Sequence, residues 1–200
     1  MVESNSSVTN PSEANIVATE GTSAVVGAGS LALTLGLSSY VDLSVGVSIA
    51  ENSVGGNVTA AIDNATVTSA PGGAVTVNAN LQSGEDHGNA FAVAVAGSLA
   101  VTSNTSQASS KFSIAGAGAG AGIYNTVDFT VVAAVEDGAT VDCGSLTVSA
   151  TDESSIYSNA GGVGLAVAYS SQSAAGIAVG AGVGTNAVTN TVQAEILNSR

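Results

Sequence analysis

The same polar pattern occurs three times along the chain at fixed offsets, and a chain that repeats itself this way is built of units that stack. Asn52, Val54, Val58, Ala60 and Ile62 align without a gap on Asn186, Val188, Val192, Ala194 and Ile196. Between them, Asn125, Val127, Val131, Ala133 and Val135 fall in the same order, which sets spacings of 73 and 61 residues. A repeat unit of this size cannot bury its apolar face alone and does so against a similar neighbour. The pattern speaks first about architecture.

The repeats are made of strands. With 25 glycines among 200 residues and a core fraction dominated by Ala and Val, long helices are disfavoured, because an interior Gly costs about 0.5–1 kcal/mol relative to Ala. Each polar half reads as short alternating strands joined by Asx-Gly or Pro-Gly corners. Val58–Ile62, Ala65–Ser69 and Ala74–Asn80 are separated by Asp63-Asn64 and Pro71-Gly72-Gly73. Val131–Val135, Ala139–Cys143 and Leu146–Thr151 are separated by Glu136-Asp137-Gly138 and Gly144-Ser145. Period-two apolar residues between such turns suit a β-solenoid rung or the hairpins of an antiparallel sandwich.

The apolar halves come in pairs: Gly21–Leu37 with Val41–Ala50, Asn89–Val101 with Phe112–Ile123, and Asn159–Tyr169 with Ala174–Gly184. Both faces of these strands are nonpolar. Phe91, Val93 and Val95 lie on one side of their strand with alanines on the other, while Gly116, Ala117, Gly118, Ala119, Gly120, Ala121 and Gly122 leave one face almost bare. Such strands allow close sheet stacking and need a cover, either within the chain or from another copy. These ten residues are the candidate self-assembly surface.

The expected fold is therefore all-β, a parallel β-helix or β-solenoid of degenerate 61–73-residue repeats, with an antiparallel β-sandwich filament subunit as the alternative. Residues 1–14 read as a flexible arm or the end of a preceding unit. Residues 15–200 read as one repetitive domain with copies at about 15–78, 79–149 and 150–200. Three rungs per repeat would give about nine rungs at roughly 4.8 Å each, a rod near 40 Å long.

Charge narrows the function classes. Lys111 and Arg200 are the only strong bases against fifteen acids, a net charge of −13. Nucleic acid, which needs clustered cations, is excluded as a partner, and an anionic membrane surface is disfavoured for the same reason. The alternative with most support outside a structural role is a cation- or ligand-binding adhesion module. Its weak calcium candidates are Glu85, Asp86, Glu136, Asp137, Asp152 and Glu153, with His87 beside the first pair. Each pair marks a turn before it marks a ligand set, and the Gly-Gly-x-Gly-x-Asp calcium nonapeptide is absent. No other cofactor is expected, and no Ser/His/Asp set can be assembled around His87, the only histidine. Gly116–Gly122 lacks the Lys-Ser/Thr that follows a phosphate loop.

Cys143 stands alone, shares the alternating face of Val141, and reads as a small buried hydrophobe. Asn5, Asn57, Asn64 and Asn104 open sequons open to glycosylation in an exported protein. Scarce Lys and Arg with Ser/Thr/Asn-rich turns point to an extracellular or cell-surface location. No secretion signal is visible in Met1–Ser7. A membrane β-barrel is a weaker alternative, raised by Tyr40, Tyr124, Tyr157 and Tyr169 at the ends of apolar runs. Insertion is disfavoured on the ground that lipid-facing residues are normally larger than Ala and Gly.

Residues 15–200 resemble the β-helical stalk regions of giant bacterial filamentous adhesins of the haemagglutinin type. The resemblance is one of texture and period, carried by Val58–Ile62, Ala65–Val67, Val75–Ala79 and Ile177–Asn186. It implies a right-handed parallel β-helix, secretion, and a rigid surface fibre without catalytic residues. The two-faced Gly/Ala block departs from ordinary stalks. The functional expectation is a segment or subunit of an extracellular filament that self-assembles through its Gly/Ala-rich apolar β surfaces, with itself as partner.

Overall fold

The computed structural model describes residues 7–10, 13–37, 40–83, 89–104 and 112–200. These form thirteen strands and no helix. In chain order they are β1 (Ser7–Asn10), β2 (Glu13–Glu20), β3 (Ala24–Leu37), β4 (Val41–Asp63), β5 (Thr66–Ser69), β6 (Ala74–Leu81), β7 (Ala90–Asn104), β8 (Phe112–Glu136), β9 (Thr140–Asp142), β10 (Ser145–Asp152), β11 (Ile156–Ser170), β12 (Ser173–Val188) and β13 (Thr191–Ile196). Every strand pairing among them is parallel. The fold is a parallel β-solenoid of three rungs, and it closes no barrel.

The sequence repeat is the rung. Asn52, Val58 and Ile62 pair with Asn125, Val131 and Val135, and these pair in turn with Asn186, Val192 and Ile196. Offsets of 73 and 61 residues in the sequence are thus the register offsets of the stack. Rung one runs β1–β4, rung two β5–β8 and rung three β9–β13. The expected three rungs per repeat is wrong: each repeat makes one. Strands of up to 25 residues replace the five-residue strands expected, because β4 and β8 continue unbroken from the apolar half into the polar half. The outer rungs are therefore only about 10 Å apart.

Ser7–Asn10 and Glu13–Glu20 pair with β5 and β6, so residues 7–10 and 13–14 are strand residues of the first rung. The rung boundaries accordingly precede the expected copies at about 15–78, 79–149 and 150–200.

Two regions share this stack. In the first, called here the lobe, the sheets β1-β5-β9 and β2-β6-β10 and the second half of β4-β8-β13 surround one core. Ile62, Val67, Val75, Val77, Leu81, Val127, Phe129, Val131 and Val135 are buried in it. The corners use residues that tolerate positive φ. Pro71-Gly72 forms a type II turn, with Gly72 at φ 81° and Gly73 N–H bonded to Ala70 O at 2.7 Å. Asp137 and Gly138, at φ 53° and 88°, close a primed-type turn from Ala139 N–H to Glu136 O at 3.1 Å.

The second region, the wing, is a two-layer extension. The sheet β3-β7-β11 lies face to face on the first half of the sheet containing β4, β8 and β12. The two members of each apolar pair in the sequence thus oppose one another across a sheet interface. At the junction with the lobe, Asn89 is fully buried and ties the three rungs together. Its Nδ2 donates to Thr22 O and Gln82 O at 3.0 and 3.1 Å, and its Oδ1 accepts from Ser155 N–H at 2.9 Å.

Candidate functional site

The wing is apolar on the outside and small on the inside. Between its sheets lie Ala92, Ala94, Ala96, Ser98 and Ala100 from β7 against Ala115, Ala117, Ala119 and Ala121 from β8, all buried. In the flanking rungs the positions of the β8 alanines hold Asp42, Ser44, Gly46 and Ser48, and Gly176, Ala178, Gly180 and Gly182, and the row ends toward the lobe at Ile123, opposite Ala50. The backbones touch here. A Cβ on Gly162 would fall on the carbonyl oxygens of Ala119 and Ala181, and one on Gly180 would fall on that of Gly162. Ordinary sheets stack about 10 Å apart, so only Gly, Ala and Ser permit this approach. The hydroxyls of Ser30, Ser44, Ser48 and Ser98 are buried there and find no hydrogen-bond partner among the described residues.

Alternation then forces the larger residues outward. On one outer face stand Leu31, Leu33, Leu35, Val95, Val163, Leu165 and Val167; on the other stand Leu43, Val45, Val47, Ile49, Ile177, Val179 and Val183. All are exposed, up to 81% for Leu31. Asp42 is the single charged residue in the described wing strands, from 24–37, 41–50, 90–104, 112–127, 156–170 and 173–188. It points inward against Gly36. Tyr40, Phe112 and Tyr169 lie at the far end of the wing. Tyr124 and a stacked Phe91–Tyr157 pair, centroids 5.3 Å apart, lie near the lobe.

The expected assembly residues divide between these surfaces. Ala117, Ala119 and Ala121 are the covered ones, and the cover comes from the chain's own β7 and β11. Gly116, Gly118, Gly120 and Gly122 are on the outer face of β8, and Phe91, Val93 and Val95 on the outer face of β7. The expectation missed the large exposed residues on β3, β4, β11 and β12. Their signal was present as period-two alternation of large aliphatics with Gly, Ala or Ser.

The cation candidates do not converge. Among the described residues no three His, Cys, Asp or Glu side chains are grouped to hold a metal. Glu85, Asp86 and His87 lie outside the described residues. Asp152 is engaged in a structural corner: its Oδ1 accepts from Ser154 N–H and its Oδ2 from Asn190 Nδ2, each at 2.8 Å. Burial acts to raise its pKa, but the bonds from Asn190 and Ser154 outweigh it and hold the carboxyl below its usual value. Asn190 Oδ1 in turn accepts from Phe129 N–H at 2.7 Å. Glu136 is raised, by desolvation first and then by the neighbouring charges of Asp137, Asp63 and Glu195. That is a corner of mutually repelling acids.

Cys143 is half-buried instead of fully enclosed; it packs on the lobe core and borders an open depression at the Pro71–Gly72 corner. Asn57 and Asn64 are exposed, Asn104 is buried at 1% exposure and closed to a glycan in this fold, and Asn5 lies outside the described residues. No protein-family model matches the chain, and no curated protein or solved structure is significantly similar to it.

Proposed function

We propose that the chain is a structural segment of an extracellular fibre, extended by rung stacking and joined laterally through its apolar wing. The observation that carries this reading is the inversion of the wing, in which large aliphatics face out on both sides and small residues face in. Exposed apolar surface of this extent marks a contact with another apolar surface. The parallel edges of β4 and β12 offer unpaired backbone groups of the kind that further rungs satisfy. An acidic surface on the lobe, with Glu13, Glu20, Glu51 and Asp128 exposed and Glu195 half-buried, keeps such a rod dispersed outside its contacts. The haemagglutinin-type adhesin resemblance agrees with a secreted fibre, and the role needs no catalytic residue or cofactor.

The test is electron microscopy and fibre diffraction of the purified chain. Filaments or ribbons with strands across the long axis and a 4.7–4.8 Å axial repeat are expected. Monodisperse monomers at high concentration would sink the proposal.

A further inference from the structure

The two outer faces of the wing differ in relief, and the difference is complementary. On the β8 side, Gly118, Gly120 and Gly122 form the floor of a channel. Its walls are Val45, Val47 and Ile49 on β4 and Val179, Ala181 and Val183 on β12, each directly opposite a glycine in the ladder. The floor is open: a Cβ on Gly120 would meet nothing within 4 Å, and those on Gly118 and Gly122 would touch only the walls at 3.9 Å. At Gly116 the channel closes under Leu43.

On the opposite side the central strand is the high one. Val93 and Val95 of β7 stand between Gly27 and Gly29 of β3 and Asn159 and Gly161 of β11, and Phe91, flanked by Val25 and stacked on Tyr157, continues the row toward the lobe. Three side chains at period two make a ridge about 13 Å long, and three open glycines at period two make a channel of the same length. Ridge and channel both run along the strands in the lobe-proximal half of the wing. A second copy with its solenoid axis aligned can place Phe91 over Gly122, Val93 over Gly120 and Val95 over Gly118.

Area supports a copy of the chain as the occupant. Three strands about 4.8 Å apart and twelve residues at about 3.3 Å give roughly 560 Å² per face. The pair buries about 1,100 Å², just below the range of specific interfaces, and each further rung adds about a third. The geometry points to a heterologous lateral contact in which the β7 ridge of one copy seats in the β8 glycine channel of the next. Since ridge and channel lie on opposite faces, the contact does not close, and copies add side by side into a ribbon. This rests on the self-assembly reading and specifies its interface.

Val93→Lys and Gly120→Glu test it, because both side chains point outward and the channel has room. Circular dichroism should show both variants folded as the wild type. Each variant alone should need at least about tenfold more protein for lateral association by sedimentation velocity. A 1:1 mixture should recover ribbons, since the introduced ammonium of one chain meets the introduced carboxylate of the other and the remaining contacts are wild type. Loss with Val93→Lys alone, Gly120→Glu being harmless, would mean a ridge-to-ridge contact and overturn the inference. Wild-type ribbons indifferent to both variants overturn it while leaving self-assembly standing; a monomeric wild type removes self-assembly itself. Flotation of the wild type with phosphatidylcholine/phosphatidylglycerol vesicles, in place of ribbons, would assign the face to lipid and overturn it as well.

Discussion

Lobe and wing are built from the same strands, β4 and β8 running through both, yet they obey opposite rules of side-chain placement. In the lobe Val, Ile, Leu and Phe fill the interior, as in any globular core. In the wing the interior is mainly Ala, Gly and Ser, with Ile123 buried at the lobe end, and most of the large aliphatics are outside. The difference lies in what is being optimised. The lobe encloses a volume between sheets that meet at corners, and volume demands large side chains at native packing density. The wing has little volume to fill, since its two sheets meet backbone to backbone. Most of the large aliphatic surface there stays exposed, which is why we propose that the lobe stabilises the fold and the wing serves association.

Truncations of equal chemistry should separate the two regions most sharply. Leu81→Ala, fully buried in the lobe, should cost about 2–5 kcal/mol in denaturant unfolding. Leu33→Ala on the wing exterior, where the residue is 66% exposed, should cost less than about 0.5 kcal/mol while weakening lateral association. Equal losses would mean that the wing exterior is already covered within the folded chain.

The reverse change probes the wing interior. Gly162→Val pushes a side chain against the carbonyl oxygens of Ala119 and Ala181, which no rotamer avoids, and overpacking of this kind costs about 1–3 kcal/mol. Hydrogen exchange should show β11 and β12 losing protection while β6 keeps it. If β6 opens equally, lobe and wing are one cooperative unit. At their junction, Asn89→Ala removes three hydrogen bonds from a buried site, two of them between rungs, and should cost about 1–3 kcal/mol, with Asn89→Asp no rescue.

Much of this was legible in the sequence because stacking copies sequence into register. The Asn52, Asn125 and Asn186 alignment is a physical ladder, in which Asn125 Nδ2 donates to Asn186 Oδ1 at 2.9 Å. The corners at Pro71-Gly72 and Asp137-Gly138 were equally readable, since few residues accept their φ values. Rung count was not, because nothing in Val41–Asp63 marks where a strand that could turn runs straight instead. The sidedness of the wing was hidden for a different reason. When both faces are apolar, hydrophobicity cannot choose between them, and the usual preference for large residues inside points the wrong way. Only the distance between backbones decides it, and a one-dimensional pattern carries no such distance.

The smallest effect separates the acidic corner of the lobe from the wing, whose described strands carry one charged residue, Asp42. Glu136 has its pKa raised by desolvation and by Asp137, Asp63 and Glu195, so the folded state holds its proton more tightly than the unfolded chain does. Its contribution is present below the unfolded value near 4.5 and is lost as pH rises through the folded pKa. Asp152 has the opposite sign: its lowered pKa makes its bonds to Ser154 and Asn190 stabilising above 3.8 and lost as pH falls. Glu136→Gln should therefore raise thermal stability slightly at pH 7 and flatten the profile just above pH 4.5, and Asp152→Asn should lower it at pH 7 and flatten the acid limb. Lateral association should respond differently, strengthening in both variants as pH approaches the isoelectric point of about 4.1 and net repulsion between chains vanishes. An association threshold that instead followed the Glu136 substitution would place the acidic corner inside the contact and break the division between a lobe that folds and a wing that joins.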